Sequence, residues 1–414
     1  MAFRFMHIGD VHFDTPFESR DSDKRRMLRQ SIRDAFERAV DIALSSSVSC
    51  ILMAGDLFDN DMLSFATEGF IVKQMERLKE NGIEVFYATG NHDPGGPAYK
   101  ARRLQWPSNV HVFMDSKPRA LVVRNKLGEE LGVVVACGHE GSREGRNLAE
   151  RFPVKEGELP WVGLLHTDVT GCIKGDEDRY APCTLKDLTE KGYSYWALGH
   201  IHQRQELCSD PNVIYAGNIM GRNPKECGPK GIYLVEMEGS NVKKEFIPVA
   251  PVVWDLVRLE DIKERSSLEE LKGCIRQAVR RNEATAPGVR KLVRIVLHGP
   301  TPLYEELQSR ENLEELEDSL EQELNVEWVE IKSEGIGPCA YPEDYRGEAH
   351  VLGEVLSMLE ELQENPDGLL RMMENQMAFS SSKWKDEDRL DYLKELLKGM
   401  DVEITSRLAG GMRK

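Results

Sequence analysis

Paired cysteines and long apolar runs are missing from this sequence. The eight cysteines among its 414 residues are scattered, with no CxxC pair, which argues against a thiolate zinc site and against a disulfide framework. No uncharged apolar stretch reaches the roughly 18 residues that a membrane-spanning helix needs. The first residues, MAFRFMHIGD, carry no apolar segment behind a basic start. We therefore expect no secretory signal, reduced cysteines and a cytoplasmic location.

Positive charge is scarce in the last quarter of the chain. The net charge is −17, and residues 301–414 hold 28 acidic but only 12 basic residues, a formal charge of −16. Residues 1–300 are nearly balanced, with 43 acidic and 42 basic residues. The overall basic footprint of many nucleic-acid-binding proteins is therefore absent. A nuclease is still compatible with this balance, because a bound metal ion supplies positive charge locally.

Apolar runs that end in polar residues alternate with helical patterns in the first half of the chain. The runs FRFMHIGD (3–10), CILMAGD (50–56) and EVFYATGNHD (84–93) are typical of buried strands followed by loops. Between them, residues 24–46 and 64–80 have the pattern of helices. Strands that alternate with helices predict an α/β domain whose ligand site lies beyond the carboxyl ends of the strands.

The pattern changes near residue 248, which predicts three domains. The first covers residues 1–245. Residues 246–340 alternate between strand and helix patterns, as in a small α/β capping domain. Residues 341–414 form an acidic tail, helical in pattern and rich in Leu and Met. Because this tail carries more apolar side chains than one short helix can bury, we interpret it as a candidate partner-binding region.

Polar residues with metal-binding side chains follow the apolar runs of the first predicted domain. They are Asp10, His12, Asp56, Asn91, His92, His166, His200 and His202. Imidazole and carboxylate donors without thiolates suit Mn, Fe or Zn better than Ca or Mg. Two metal ions roughly 3.5–4 Å apart need a shared ligand, and a carboxylate offers two oxygens for that purpose. The pattern therefore predicts a two-metal centre for the hydrolysis of phosphate esters.

Five short motifs stand in order at the ends of these runs, and together they are far more specific than any one of them. They are Asp10-Val11-His12, Gly55-Asp56, Gly90-Asn91-His92-Asp93, His166 and Gly199-His200-Ile201-His202. This set resembles the five motifs of the calcineurin-like metallophosphoesterases over about residues 1–240. HIGDVHFD, AGDLFD, TGNHD and LGHIH are similar to the SbcD-like nucleases of DNA double-strand-break repair. The length and the tail most resemble the YhaO-type bacterial members.

The resemblance implies a four-layer α/β sandwich with two divalent metal ions, which we expect to be Mn²⁺, with Fe or Zn as alternatives. The ligands of the first ion would be Asp10, His12, Asp56 and His202. The ligands of the second would be Asp56, Asn91, His166 and His200, so that Asp56 bridges the two ions. His92 would act as a general acid near the scissile phosphate, and Asp59 would orient it. Archaeal and eukaryotic nucleases of this type carry a His in place of Asp59.

The resemblance also implies a function and partners. We expect a Mn-dependent phosphodiesterase that acts on DNA as a 3′-to-5′ exonuclease with some endonuclease activity. Two alternatives stay open: a phosphatase or small-molecule phosphodiesterase with the same site, and a DNA-end-binding scaffold for a partner ATPase. An SMC-like coiled-coil ATPase would dock through the C-terminal helices. A homodimer would form through helices that carry Phe65, Phe70, Ile71 and Met75, and through the helix after residue 97. The same residues are also compatible with an ordinary core face.

Other residues near the motifs have simpler interpretations. Asp93 suits the cap of a turn better than a catalytic role. His139 stands at the end of a predicted strand, and we assign it no role. Basic residues on loops near the motifs are candidate contacts for a nucleic-acid backbone, and they are Arg102, Arg103, Arg143, Arg146, Lys174 and Arg222.

Overall fold

The computed structural model divides into two compact units. The described residues are 2–17, 22–59, 62–171, 179–239, 241–281, 288–339, 342–364, 392 and 395–412. The first unit comprises Met1–Trp254 and Thr285–Lys291, and the second comprises Asp255–Ala284 and Leu292–Lys414. Among the described residues, no helix is both long enough and apolar enough to cross a membrane.

The described residues form fifteen strands and eight α-helices. In chain order the strands are β1 (Phe3–Ile8), β2 (Cys50–Met53), β3 (Glu84–Ala88), β4 (Val110–Phe113), β5 (Arg119–Arg124), β6 (Glu130–Ala136), β7 (Trp161–His166), β8 (Tyr195–Gly199), β9 (Gln205–Ser209), β10 (Asn212–Tyr215), β11 (Gly231–Glu238), β12 (Asn241–Pro248), β13 (Val252–Leu259), β14 (Arg290–Thr301) and β15 (Trp328–Pro338). The α-helices are α1 (Ser22–Ser45), α2 (Phe65–Glu80), α3 (Lys100–Arg103), α4 (Leu185–Thr189), α5 (Leu268–Arg281), α6 (Arg310–Leu324), α7 (Val351–Glu364) and α8 (Met400–Met412). Short 3-10 helices cover Ala149–Arg151, Glu306–Gln308 and Pro342–Asp344.

Two six-stranded sheets build the first unit. Their strand orders are β12-β11-β1-β2-β3-β4 and β5-β6-β7-β8-β10-β9. Strands β1 to β4 run parallel in the first sheet, and β6, β7, β8 and β10 run parallel in the second. Because the carboxyl ends of parallel strands lie at one edge of a sheet, the loops after β1, β2 and β3 are neighbours, and so are those after β7 and β8.

The two sheets pack face to face around one apolar core. Strand β8 illustrates how burial on both faces accounts for a sequence that is apolar throughout. Tyr195 and Ala197 enter the core between the sheets, together with Phe5 and Leu52 of the other sheet. The alternate residue Trp196 belongs to a second core on the outer face, where α4 packs. A strand that is buried on both faces needs apolar residues at every position.

Helices lie on the outer faces of both sheets and complete four layers. Helix α1 buries Leu28, Ile32, Phe36 and Val40, which are the apolar positions of its four-residue spacing. Helix α1 contacts β11 and α2 contacts β3 of the first sheet, while α4 packs on the second. The layered arrangement confirms the predicted four-layer α/β sandwich.

A three-stranded sheet forms the centre of the second unit. Its order is β13-β14-β15, and β14 pairs with β15 in parallel. Helix α5 buries Leu271, Ile275 and Val279 against this sheet, and α6 buries Leu316 and Leu320. These side chains recur at helical spacing, so one face of each helix supplies the apolar core of the unit.

The C-terminal part of the second unit is helical where the structure describes it. Leu352 and Leu356 of α7 pack with Tyr345 and with Ile404 of α8. The prediction of an apolar, partner-binding tail also used residues that lie outside the described ones, namely Leu369, Leu370, Met372, Met373 and Met377.

Candidate metal centre

All nine predicted site residues lie together where the parallel strands of the first unit end. Asp10 and His12 follow β1, Asp56 and Asp59 follow β2, and Asn91 and His92 follow β3, while His166 ends β7 and His200 and His202 follow β8. The two sheets therefore contribute donors to a single cluster, as the topology of a layered α/β fold allows.

A first group of donors consists of Asp10, His12 and His202. One ligand atom of each lies within 4.8 Å of the others. The Nε2 atoms of His12 and His202 are 3.2 Å apart, and Oδ1 of Asp10 lies 4.0 Å from Nε2 of His202. Asp10 is fully buried, and its Oδ2 has no hydrogen-bond partner among the described residues. A buried, unpaired carboxylate oxygen beside converging imidazole nitrogens fits a bound cation.

A second group of donors surrounds Asp56. Its Oδ2 lies 3.6 Å from Nε2 of His12 and 3.4 Å from Nε2 of His166. Nε2 of His166 is also 2.9 Å from Oδ1 of Asn91, and the ring of His200 lies against that of His166 with 5.2 Å between centroids. The carboxylate of Asp56 thus lies between the two groups, which is the position that a bridging ligand requires.

The backbone at this cluster is held in conformations that residues other than glycine seldom adopt. His12, Asp56 and His200 have positive φ angles of 52°, 48° and 104°. Such strain persists only where the surrounding structure enforces it. Glycine is required beside these ligands for steric reasons, because a Cβ at Gly90 would lie 2.2 Å from Oδ1 of Asp56 and one at Gly199 would lie 1.8 Å from the carbonyl oxygen of Ala54.

Burial and charge set the protonation of the histidines. Burial lowers the pKa of His12 to about 4 and that of His200 to about 3, so both rings are neutral and able to bind a metal. Burial also opposes a charge on His166, but the carboxylates of Asp56 and Asp10 and the carbonyl oxygen of Ala54 together outweigh it and raise the pKa of His166 to about 9. The pKa of Asp56 is in turn held well below its ordinary value by His166, although burial opposes this. A proton on His166 is therefore the positive charge that a metal ion would replace.

His92 lies at the exposed side of the cluster. Its Nδ1 is 2.9 Å from Oδ1 of Asp59, and 45% of its side chain is exposed. This hydrogen bond raises the pKa of His92 above the ordinary value, against the effect of partial burial. The same Oδ1 lies 3.0 Å from Nδ1 of His12. One ring nitrogen of His92 also comes within 4.8 Å of ligand atoms of His12 and Asp56, so distance alone does not separate His92 from the metal ligands.

Asp93 connects two of the motif loops. Its carboxylate accepts hydrogen bonds from the backbone N–H groups of Gly90, Leu57 and Asp56, at 2.6, 2.5 and 3.2 Å, and from the hydroxyl of Tyr87. Burial raises the pKa of Asp93 to about 6. The bond from Gly90 agrees with the interpretation of Asp93 as a turn cap, but the bonds from the loop after β2 were not predicted.

Of three further residues next to the predicted ligands, Glu226 was missed, His139 was left without a role, and Arg222 was predicted only as a candidate contact for a nucleic-acid backbone. Nε2 of His139 lies 2.8 Å from the carbonyl oxygen of His166. Oε1 of Glu226 lies 2.8 Å from Nδ1 of His202, and Nη2 of Arg222 lies 3.1 Å from the same atom. Glu226 stands outside the five motifs, in the loop after β10, so nothing in the local sequence predicts its contact with His202.

Comparison with known proteins places this chain in a family. The model of the calcineurin-like phosphoesterase family matches residues 3–204, and that of the middle domain of metallophosphoesterase YhaO matches residues 254–333. The chain is 32% identical over 349 residues to the uncharacterized metallophosphoesterase YhaO of Bacillus subtilis, which covers 78% of this chain and 83% of that protein. The chain therefore belongs to the calcineurin-like metallophosphoesterases, a family of metal-dependent hydrolases, and within them it is similar to YhaO.

Other relatives are more distant. The DNA double-strand break repair protein Mre11 of Methanocaldococcus jannaschii is 26% identical over 276 residues, covering 64% of this chain and 71% of that protein. Among solved structures, a dimetal phosphatase from Danio rerio shares 14% identity at a TM-score of 0.37, covering 60% of this chain and 99% of that one. The predicted resemblance to calcineurin-like and YhaO-type metallophosphoesterases is confirmed.

Proposed function

We propose that this protein hydrolyses phosphodiester bonds of DNA with two divalent metal ions, as a 3′-to-5′ exonuclease with some endonuclease activity in double-strand-break repair. The observation that carries the proposal is the position of Asp56, with one carboxylate oxygen between His12 and His166 at 3.6 and 3.4 Å. A two-metal centre of this kind is suited to phosphoester hydrolysis. The choice of DNA is supported by the similarity to a relative named DNA double-strand break repair protein Mre11.

We assign the donors to the two proposed ions as the family resemblance implies. Asp10, His12, Asp56 and His202 would hold the first, and Asp56, Asn91, His166 and His200 would hold the second. Carboxylate and imidazole donors favour Mn²⁺, with Fe or Zn as alternatives. When bound, the ions would lower the pKa of water and neutralise charge on the phosphoryl oxygens.

The chain's own residues supply the remaining chemistry. Asp59 fixes Nδ1 of His92 at 2.9 Å, so the other ring nitrogen is free to face the leaving oxygen. The raised pKa of His92, caused by its hydrogen bond to Asp59, favours the protonated ring, and a protonated imidazole can donate to the alkoxide that leaves a DNA phosphodiester. We therefore assign His92 as the general acid and Asp59 as the residue that positions it.

Arg222 is the basic residue that we assign to the substrate phosphate. Its guanidinium lies within 3.5 Å of both ring nitrogens of His202, and 18% of its side chain is exposed. Other candidates are engaged elsewhere: Nε of Arg102 donates to the carbonyl oxygen of Gly95, and Arg146 pairs with Glu144. Arg103 and Arg143 are exposed, and Lys174 lies outside the described residues.

The proposed function also involves a substrate, a binding partner and an assembly. We propose DNA as substrate, an SMC-like coiled-coil ATPase as a binding partner and a homodimer as the assembly. Ile71 and Met75 are fully buried within the first unit, which agrees with an ordinary core face and not with a dimer surface. Phe65 is 91% exposed and Met62 is 44% exposed at the start of α2, and they support a dimer contact there.

The test compares three substrates with Mn²⁺ and with EDTA: bis-p-nitrophenyl phosphate, p-nitrophenyl phosphate and end-labelled duplex DNA. We expect Mn-dependent cleavage of the diester and of DNA, with little turnover of the monoester. Efficient monoester turnover with intact DNA would contradict the nuclease and indicate a phosphatase. No turnover by a folded, metal-loaded protein would contradict an enzyme and favour the DNA-end scaffold. His111→Ala is a matched control, since His111 pairs with Glu84 on the sheet and not with the centre.

A further inference from the structure

The loop after β10 surrounds His202 with polar groups, which we call the His202 cradle: Asn218, Arg222, Glu226 and Lys230. Oε1 of Glu226 lies 2.8 Å from Nδ1 of His202. The carbonyl oxygen of His202 accepts hydrogen bonds from Nζ of Lys230, at 2.9 Å, and from the backbone N–H of Asn218, at 3.2 Å. Both the ring and the main chain of His202 are thereby held in place.

Glu226 is itself fixed by neighbouring donors. Its Oε2 accepts from Nδ2 of Asn218 and from the backbone N–H of Arg222, both at 2.6 Å. Only 12% of its side chain is exposed. Two N–H groups thus converge on Oε2 of this carboxylate, which orients the other oxygen, Oε1, toward His202.

This geometry decides which nitrogen of His202 carries the proton. A carboxylate near neutral pH only accepts hydrogen bonds, so Nδ1 of His202 must donate. The lone pair is then on Nε2, the nitrogen that faces His12 at 3.2 Å and Asp10 at 4.0 Å. Nη2 of Arg222 lies 3.1 Å from Nδ1, but Nδ1 cannot accept a hydrogen bond from it, because a protonated Nδ1 has no free lone pair. Nε of Arg222 also lies 3.8 Å from Oε1 of Glu226, so its positive charge favours the ionised carboxylate.

We infer that Glu226 is a positioning residue that selects the metal-binding tautomer of His202 and so strengthens one of the two metal sites. The inference rests on the proposed metal-binding function. The other site obtains its tautomer from the main chain, since Nδ1 of His166 lies 2.8 Å from the carbonyl oxygen of Ala54. Glu226 therefore acts on the site of Asp10, His12 and His202 and leaves that of His166 unchanged.

The Glu226→Gln variant distinguishes selection of the His202 tautomer from a contribution of Glu226 to packing alone. The amide oxygen of this glutamine would be drawn to the two donors, Asn218 and the N–H of Arg222, because a carbonyl accepts from them and an amide nitrogen does not. The amide nitrogen would then face Nδ1 of His202 and donate to it. That bond would place the proton on Nε2, the wrong tautomer for a metal ligand, although glutamine has nearly the size and shape of glutamate.

The experiment measures Mn²⁺ binding to the full chain after chelation, by calorimetric titration and by metal content after desalting. Wild type, Glu226→Gln and Glu226→Ala are compared, with Glu206→Gln as a matched control on β9, where Glu206 pairs with Lys244. We expect two bound ions in wild type and in the control. In Glu226→Gln we expect one ion at wild-type affinity and the other weakened about 10- to 100-fold. Glu226→Ala should lose less, because water can accept from Nδ1.

Each outcome decides a separate question. Wild type that binds fewer than two ions would contradict the proposed function itself. Wild type with two ions and Glu226→Gln with two equally tight ions would overturn the role of Glu226 alone. Equal weakening of both ions, with a lower melting temperature of the metal-free variant, would also overturn it in favour of a structural role. If Glu226→Gln does not fold, selective loss of one ion in Glu226→Ala supports the inference, and retention of both contradicts it.

Discussion

The two compact units differ in the burial of the polar side chains near the ends of their parallel strands. In the first unit, the strand ends carry Asp10 and Asp56, both buried, and backbone strain at His12 and Asp56. In the second unit, the parallel pair β14–β15 carries His298 and Glu334 near its end, and both are exposed. The groups that could hold a metal ion among the described residues all lie in the first unit.

This contrast indicates that burial, more than residue type, distinguishes a reaction centre. An exposed histidine or glutamate is hydrated by solvent, so the absence of a partner within the protein costs little free energy. A buried carboxylate without a partner costs much more, and it persists where a charged ligand compensates. Substitutions should therefore change the chemistry in the first unit and only stability in the second.

The largest effect is expected from Asp56→Ala. Loss of the carboxylate between His12 and His166 removes the ligand shared by both proposed ions, so metal binding and hydrolysis should both be abolished. Metal content after desalting and turnover of bis-p-nitrophenyl phosphate measure the two effects. A folded Asp56→Ala protein that keeps two tightly bound ions would contradict the bridging role and weaken the contrast between the units.

The next largest effect is expected from His92→Ala. A general acid contributes about 10²- to 10⁴-fold to the rate, so DNA cleavage should fall by that factor while both ions stay bound. The loss should be much smaller with bis-p-nitrophenyl phosphate, because p-nitrophenolate is a weak base and leaves without a proton. Gel assays of labelled DNA, run beside the chromogenic assay, measure this ratio. An equal loss on both substrates would remove His92 from the acid role.

A smaller effect is expected from Asp59→Ala. Asp59 acts through His92 and His12, which it contacts at 2.9 and 3.0 Å, and loss of such a supporting bond costs about 10- to 100-fold. Removing Asp59 from a His92→Ala background should cost less than in wild type, because residues that act together are not additive. Rates of DNA cleavage for the four proteins of this cycle provide the measurement. Full additivity would show that Asp59 does not work through His92.

The smallest effect on chemistry is expected from Leu271→Ala in the second unit. Leu271 is fully buried in the core of that unit, so the substitution should lower the free energy of unfolding by about 2–5 kcal/mol. Hydrolysis of bis-p-nitrophenyl phosphate by the folded protein should stay within about twofold of wild type, since Leu271 belongs to the core of the second unit and shares no partner with the donors of the first. Denaturant unfolding and initial rates test this pair of results. A large loss of turnover would show that the second unit takes part in the reaction.

Much of the fold followed from patterns in the sequence. The four-residue spacing of Leu28, Ile32 and Phe36 predicted α1, and the apolar run CILMAGD predicted the buried strand β2. Such periodicities are local, so they can be read without knowledge of the tertiary structure. The side of a helix that stays exposed is harder to predict, and Ile71 and Met75, expected at a dimer surface, are buried.

The donors and their positions along the chain could be predicted from the sequence, because Asp, His and Asn at the ends of apolar runs meet when parallel strands align their carboxyl ends. The contacts that hold those donors depend on the three-dimensional fold. Glu226 meets His202 from a loop outside the motifs, and Asp93 accepts from Leu57 at a separation of 36 residues. Hydrogen bonds between such distant residues depend on packing and on the path of loops, and no local spacing records them.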